Sequence, residues 1–82
     1  MDDAEIIRRI GELADEERGL EESHASSSEG LSPEERDRLD HLQVTLDQMW
    51  DLLRQRRALR RAGRDPDDAV ERGVETVEHY QQ

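Results

Sequence analysis

The stretch Leu39–Arg64, LDHLQVTLDQMWDLLRQRRALRRAGR, decides the fold. Leu39, Leu42, Leu46, Met49 and Leu53 recur at alternating steps of three and four, the seam of an amphipathic helix that packs on another helix. Past Leu53 the register holds but the chemistry changes. At ~100° per residue, Arg56, Arg60 and Arg64 fall on the face that the leucines occupied. One helix therefore carries an apolar half and a basic half along a single line.

Working outward, Ser32-Pro33-Glu34-Glu35 places Ser at the N-cap, Pro at the first helical position and Glu at the third. Gly63 suits the residue just past the C-cap, and arginines in the last turns complement the negative end of the helix dipole. The spacing predicts a helix from Pro33 to about Ala62. Upstream, Asp2 and Glu5 have capping-box spacing, and Ile6, Ile10, Leu13 and Leu20 continue at helical steps, widened by Ile7 and Ala14. That predicts a first helix from about Asp3 to Ser23, roughly 30 Å long. Between them HASSSEGLS (His24–Ser32) is small and polar and reads as a loop. Two helices so joined form an antiparallel hairpin. Leu20 then sits opposite Arg36, Leu13 at the level of Leu42 and Gln43, and Ile6 and Ile7 at the level of Met49 and Trp50. The arginine segment overhangs by about nine residues, or ~14 Å, beside the acidic N-terminus. Downstream, Asp65-Pro66-Asp67-Asp68 resembles a helix start, and Val70, Val74 and Val77 suggest a short third helix that Gly73 weakens. The expected organisation is all-α: a hairpin over 1–63 and an acidic tail over 64–82.

Composition narrows the function classes. The 82 residues hold 41% charged and 32% hydrophobic side chains, no Phe, and Trp50 and Tyr80 as the sole aromatics, so the core is thin. With no Cys there is neither a disulfide framework nor a thiolate metal site. No apolar run approaches the ~18 residues of a membrane span, and a signal-peptide pattern is lacking, so a cytoplasmic location is expected. Net charge is −10, which opposes binding of nucleic acid or anionic membrane by the whole surface. The charge is uneven: residues 1–30 hold ten acids and three arginines, whereas 54–64 hold six arginines and no acid.

The run WDLLRQRRALRRAGRDPDDA and the later VETVEHY, with the I-x-x-I-x-x-L start and the S-P-E-E cap, resemble a family of short acidic actinobacterial proteins, domain-of-unknown-function family 2630. The resemblance spans nearly the whole chain. It implies a helical fold and supplies no activity, cofactor or catalytic residue.

Chemistry-bearing constellations are few. Glu21-x-x-His24 has the spacing of di-metal helical bundles, but such a site needs further carboxylates projecting into a core, and 22 acids among 82 residues generate such pairs by chance. Asp37/His41 and Glu75/His79 read the same way. The serines of the loop lack an orienting acid or an oxyanion hole. No metal site, cofactor or catalytic residue is expected, and the chain reads as a non-enzymatic interaction protein, with a di-metal helical bundle as the enzyme-class alternative. The arginine strip Arg54, Arg56, Arg57, Arg60, Arg61 and Arg64 is the one concentration of charge opposed to the balance. Its simplest role is pairing with Asp2, Asp3, Glu5 and the acidic tail; the alternatives are an acidic protein partner or nucleic acid. Finally, Trp50 and Leu52 flank the seam at Met49 and Leu53, and Leu59 extends the Leu52 side. That face is broader than one helix covers, so a homodimer through Met49, Trp50, Leu52, Leu53 and Leu59, a four-helix bundle, is expected. The simpler alternative is that the C-terminal valines fold back over it.

Overall fold

The computed structural model describes residues 1–26 and 30–73. Its elements are helix α1, Asp3–Ser26, helix α2, Pro33–Arg61, and a single 3-10 turn, Pro66–Asp68. Both helices start on reciprocal capping boxes. In α1 the Glu5 N–H donates to Asp2 Oδ1 at 2.8 Å and the Asp2 N–H to Glu5 Oε1 at 3.3 Å. In α2 the Glu35 N–H donates to Ser32 Oγ at 3.1 Å and the Ser32 N–H to Glu35 Oε1 at 3.0 Å. Each box satisfies donors that a helix start leaves without partners. α1 continues three residues past the expected Ser23, because His24, Ala25 and Ser26 carry no breaker, and Ala is the best helix former.

α2 ends as its arginines and glycine dictate. Ala62 is the C-cap, Gly63 takes φ 72°, the Gly63 N–H donates to Arg60 O, and the Arg64 N–H donates to Leu59 O at 2.8 Å. This is a Schellman motif, and only the left-handed conformation that glycine adopts freely allows it. Gly30, at φ 76°, turns the chain into α2, and the His24 ring lies 3.3 Å from where a Cβ on it would stand.

Ile6, Ile10 and Leu13 of α1 and Leu42, Met49, Leu52 and Leu53 of α2 form the core, with Leu20, Leu46 and Ala69 packed against it. The helices run antiparallel as a hairpin. Glu16 pairs with Arg38 midway along, Arg38 Nη2 lying 2.6 Å from Oε2, and Asp3 meets Arg56 and Arg60 at the far end. The result is a slender rod of 53 × 25 × 17 Å. Its radius of gyration of 15.3 Å exceeds the ~12 Å of a compact chain of this length.

The expected third helix is not built in the described part of the tail. Asp65 caps a 3-10 turn, its side chain accepting from the Asp67 N–H at 2.9 Å, and the backbone is extended by Ala69 at ψ 139°. From Ala69 the chain instead runs back along α2 as a strap. Its partners are polar side chains of α2, which supply hydrogen bonds that a helix would otherwise take from its own backbone. Val74 and Val77 lie outside the described residues.

Candidate functional site: an arginine clasp, a strap and an open apolar face

Arg56 occupies a seam position, and its side chain is buried to 7% residue exposure with Leu53 one turn before it. A guanidinium there needs charged partners. It has two: Nε donates to Asp3 Oδ1 at 2.6 Å and Nη1 to Asp67 Oδ1 at 2.8 Å. The second oxygen of Asp3 lies 3.1 Å from Arg60 Nη2. Asp3 is also the first residue of α1, where the helix dipole favours a negative charge. One arginine thus ties together the start of α1, the end of α2 and the 3-10 turn. The hydrogen bond from Arg56 holds the Asp3 and Asp67 carboxyls below their usual range, helped at Asp3 by Arg60; the same contacts, Asp3 first, raise Arg56. Glu16 is likewise held down by the hydrogen bond from Arg38.

The six-arginine strip therefore divides. Arg56 and Arg60 face the hairpin's own acids, and Arg54 lies 3.8 Å from Asp51. Arg57, Arg61 and Arg64 are exposed, with no carboxylate partner among the described residues. Asp2 and Glu5, expected as partners, are taken up by the α1 capping box instead.

The strap lies on one side of α2. Gln55 Nε2 donates to Val70 O at 2.6 Å while Gln55 Oε1 accepts from the Val70 N–H at 3.3 Å, an amide side chain paired with a backbone unit. Two turns lower, Gln48 Nε2 donates to Arg72 O at 3.3 Å, and Arg72 Nε lies 3.4 Å from the buried Asp51 carboxylate. Ala69 covers the core beside Leu52. Sequence reasoning missed Gln48, Asp51 and Gln55. Their signal is a polar line at steps of three and four immediately beside the apolar seam. Between α2 and the strap lies a concavity of about 400 Å³, lined by Asp51, Arg54, Gln55, Arg57, Ala58, Arg61 and Arg72.

The five expected interface residues separate as well. Met49, Leu52 and Leu53 are already covered by the hairpin itself, and Leu59 is half-buried near the strap. Trp50 remains 44% exposed, and on α1 Ile7 is 52% exposed. Each follows a buried seam residue, Met49 and Ile6, by one position, an offset of about 100°. In antiparallel helices offsets of the same sign point to the same side of the pair. Trp50 and Ile7 thus share the side that the strap leaves open.

Among the described residues no group of three or more His, Cys, Asp or Glu could hold a metal ion, and Glu21 and His24 are exposed. Nor is any described helix long and apolar enough to cross a membrane.

A hairpin of two capped helices, clasped by a buried arginine, defines a small all-α protein with no strand among its described residues. The chain belongs to the family of proteins of unknown function DUF2630, whose profile matches residues 2–82. It is 45% identical over 80 residues to an uncharacterized protein of Mycobacterium tuberculosis strain H37Rv, across 95% of this chain and 88% of that protein. An uncharacterized protein of Mycobacterium bovis matches to the same extent. No solved structure matches the chain.

Proposed function

We propose that this protein is a non-enzymatic interaction module, a helical hairpin that self-associates through its open face into a four-helix bundle. The observation that carries the reading is the pair Trp50 and Ile7, large apolar side chains about half exposed on the side that the strap does not cover. An indole buries ~150–250 Å² when covered. The area available suits a stable contact. α1 is 24 residues long, so the open face measures ~36 Å by ~20 Å, or ~700 Å² per copy, near the ~800 Å² of a standard interface. That contact uses Trp50 with Ile7, because Met49, Leu52 and Leu53 already serve the hairpin core. A nucleic-acid accessory role through the arginine strip draws less support, since Arg56 and Arg60 are engaged by Asp3 and Asp67.

Sedimentation equilibrium tests the proposal. The unmutated protein is expected to be dimeric at micromolar concentration. Trp50→Ala should weaken the dimer by ~2 kcal/mol or more, about thirtyfold in Kd, with the helical signal retained because the ring is not part of the monomer core. A monomer at high micromolar concentration would overturn it.

A further inference from the structure

On α2, Asp40, Asp47, Arg54 and Arg61 recur every seven residues and so form one line along the helix, next to the line that carries Trp50 and Arg57. Asp40, Arg54 and Arg61 are exposed and Asp47 is half-buried. The sign of the charge reverses once along this line, between Asp47 and Arg54, at the level of Trp50. We infer that the second copy of the chain lies antiparallel, α2 against α2, about a two-fold axis beside Trp50. This rests on the self-association proposed above and adds its orientation and the charges that set it.

The numbers of the line are symmetric about that axis. Position 54 faces position 47 of the second copy, and position 61 faces position 40. At 1.5 Å per residue, Arg54 and Asp47 lie ~5 Å on either side of the axis, and Arg61 and Asp40 ~16 Å. Each arginine thus meets an aspartate, and the two-fold repeats both pairs. A two-fold running along the rod would do the opposite, setting every residue of the line beside its own copy. Four like-charge contacts would result, in a chain already at −10. The wider charge distribution agrees. Asp15, Glu16, Glu17, Glu21 and Glu22 crowd the loop half of α1 against Arg18, so a parallel bundle would bring two acidic ends together. The antiparallel one sets each beside the arginine-bearing end of α2. Trp50 and Ile7, close to the axis, meet their own copies, as residues beside a two-fold do. Arg54 can reach Asp47 of the second copy while staying near its own Asp51, 3.8 Å away.

The chain has no cysteine, so one introduced thiol reports cleanly. Ala62→Cys carrying a nitroxide stands at the end of α2, outside the proposed contact. Pulsed dipolar spectroscopy on the labelled full-length protein should give an interspin distance of ~35 Å or more, whereas a parallel bundle places the labels within ~20 Å. Arg54→Glu with Arg61→Glu should raise the dimer Kd at least ~tenfold, and adding Asp40→Arg with Asp47→Arg should restore it. A short distance, an unchanged Kd in Arg54→Glu/Arg61→Glu, or no recovery when Asp40→Arg and Asp47→Arg are added, overturns the antiparallel orientation while leaving self-association standing. A monomeric unmutated protein overturns the self-association itself.

Discussion

At the residue scale, Arg56 shows how a charge is accommodated in a thin core. Its aliphatic stem continues the seam laid down by Leu42, Met49 and Leu53, and its guanidinium ends between two carboxylates from opposite ends of the chain. Removing the head group alone leaves Asp3 and Asp67 facing each other, so Arg56→Gln should lower the melting temperature and Arg56→Met should lower it too, in spite of added apolarity. Thermal melts followed by circular dichroism check this; an unchanged midpoint would mean that the clasp stabilises nothing. The acids make a matching pH prediction. Asp3, Asp67 and Glu16 have depressed folded-state pKa values, so their contribution is complete above the ordinary carboxylate range and is lost as pH falls through the depressed values. Stability should therefore decline below about pH 4–5, and Asp3→Asn should be less stable than the unmutated protein at neutral pH but flatter through the acid range. Identical slopes for the two would exclude Asp3 as a contributor.

At the element scale, the two helices are set by local chemistry and the tail by contacts at a distance. Ser32 is the N-cap that starts α2, and Ser32→Ala should cost ~1 kcal/mol, lowering the melting temperature by ~4–8 °C in a domain of this size. A midpoint unmoved by the change would place the start of α2 elsewhere. The strap depends instead on Gln55, which holds both backbone groups of Val70. Gln55→Ala should leave the helical signal unchanged while speeding hydrogen exchange at the Val70 amide and tryptic cleavage after Arg72. Unaltered exchange and cleavage would show that Ala69 and Arg72 hold the strap without it. The strap also explains why the Pro66–Asp68 turn does not propagate. Asp67 is drawn to Arg56, and the residues after it exchange helical hydrogen bonds for the side chains of α2.

At the scale of the whole molecule, an antiparallel pair of helices has two flanks, and this chain treats them differently. One is closed by residues 69–72; the other presents Trp50 and Ile7. A rod with a 15.3 Å radius of gyration has too little interior to cover both flanks by itself. The described valine does not cover the apolar face, as the alternative to a dimer had it: Val70 is 64% exposed and Trp50 44%, and it is Ala69 that packs against the core. The open flank is where a second copy gains most, and its charge line gives that copy a preferred direction.

The sequence by itself determined both helices, their N-caps, Gly63 as the residue past the C-cap and the hairpin, because those signals act over three or four residues or along one unbroken apolar period. The family was legible for the same reason, in the contiguous run around Trp50. The tertiary structure alone decided which arginines turn inward and which outward, that Asp51 and Gln55 receive the tail, and that Trp50 remains exposed while Leu52 does not. Those outcomes join residues far apart in the chain: Arg56 and Asp3 are separated by 53 positions, Gln48 and Arg72 by 24. In a chain that is 41% charged, nearly every arginine has several acids within reach of some conformation. Only the packed helices, by fixing which carboxylate lies within about 3 Å of which guanidinium, select among them.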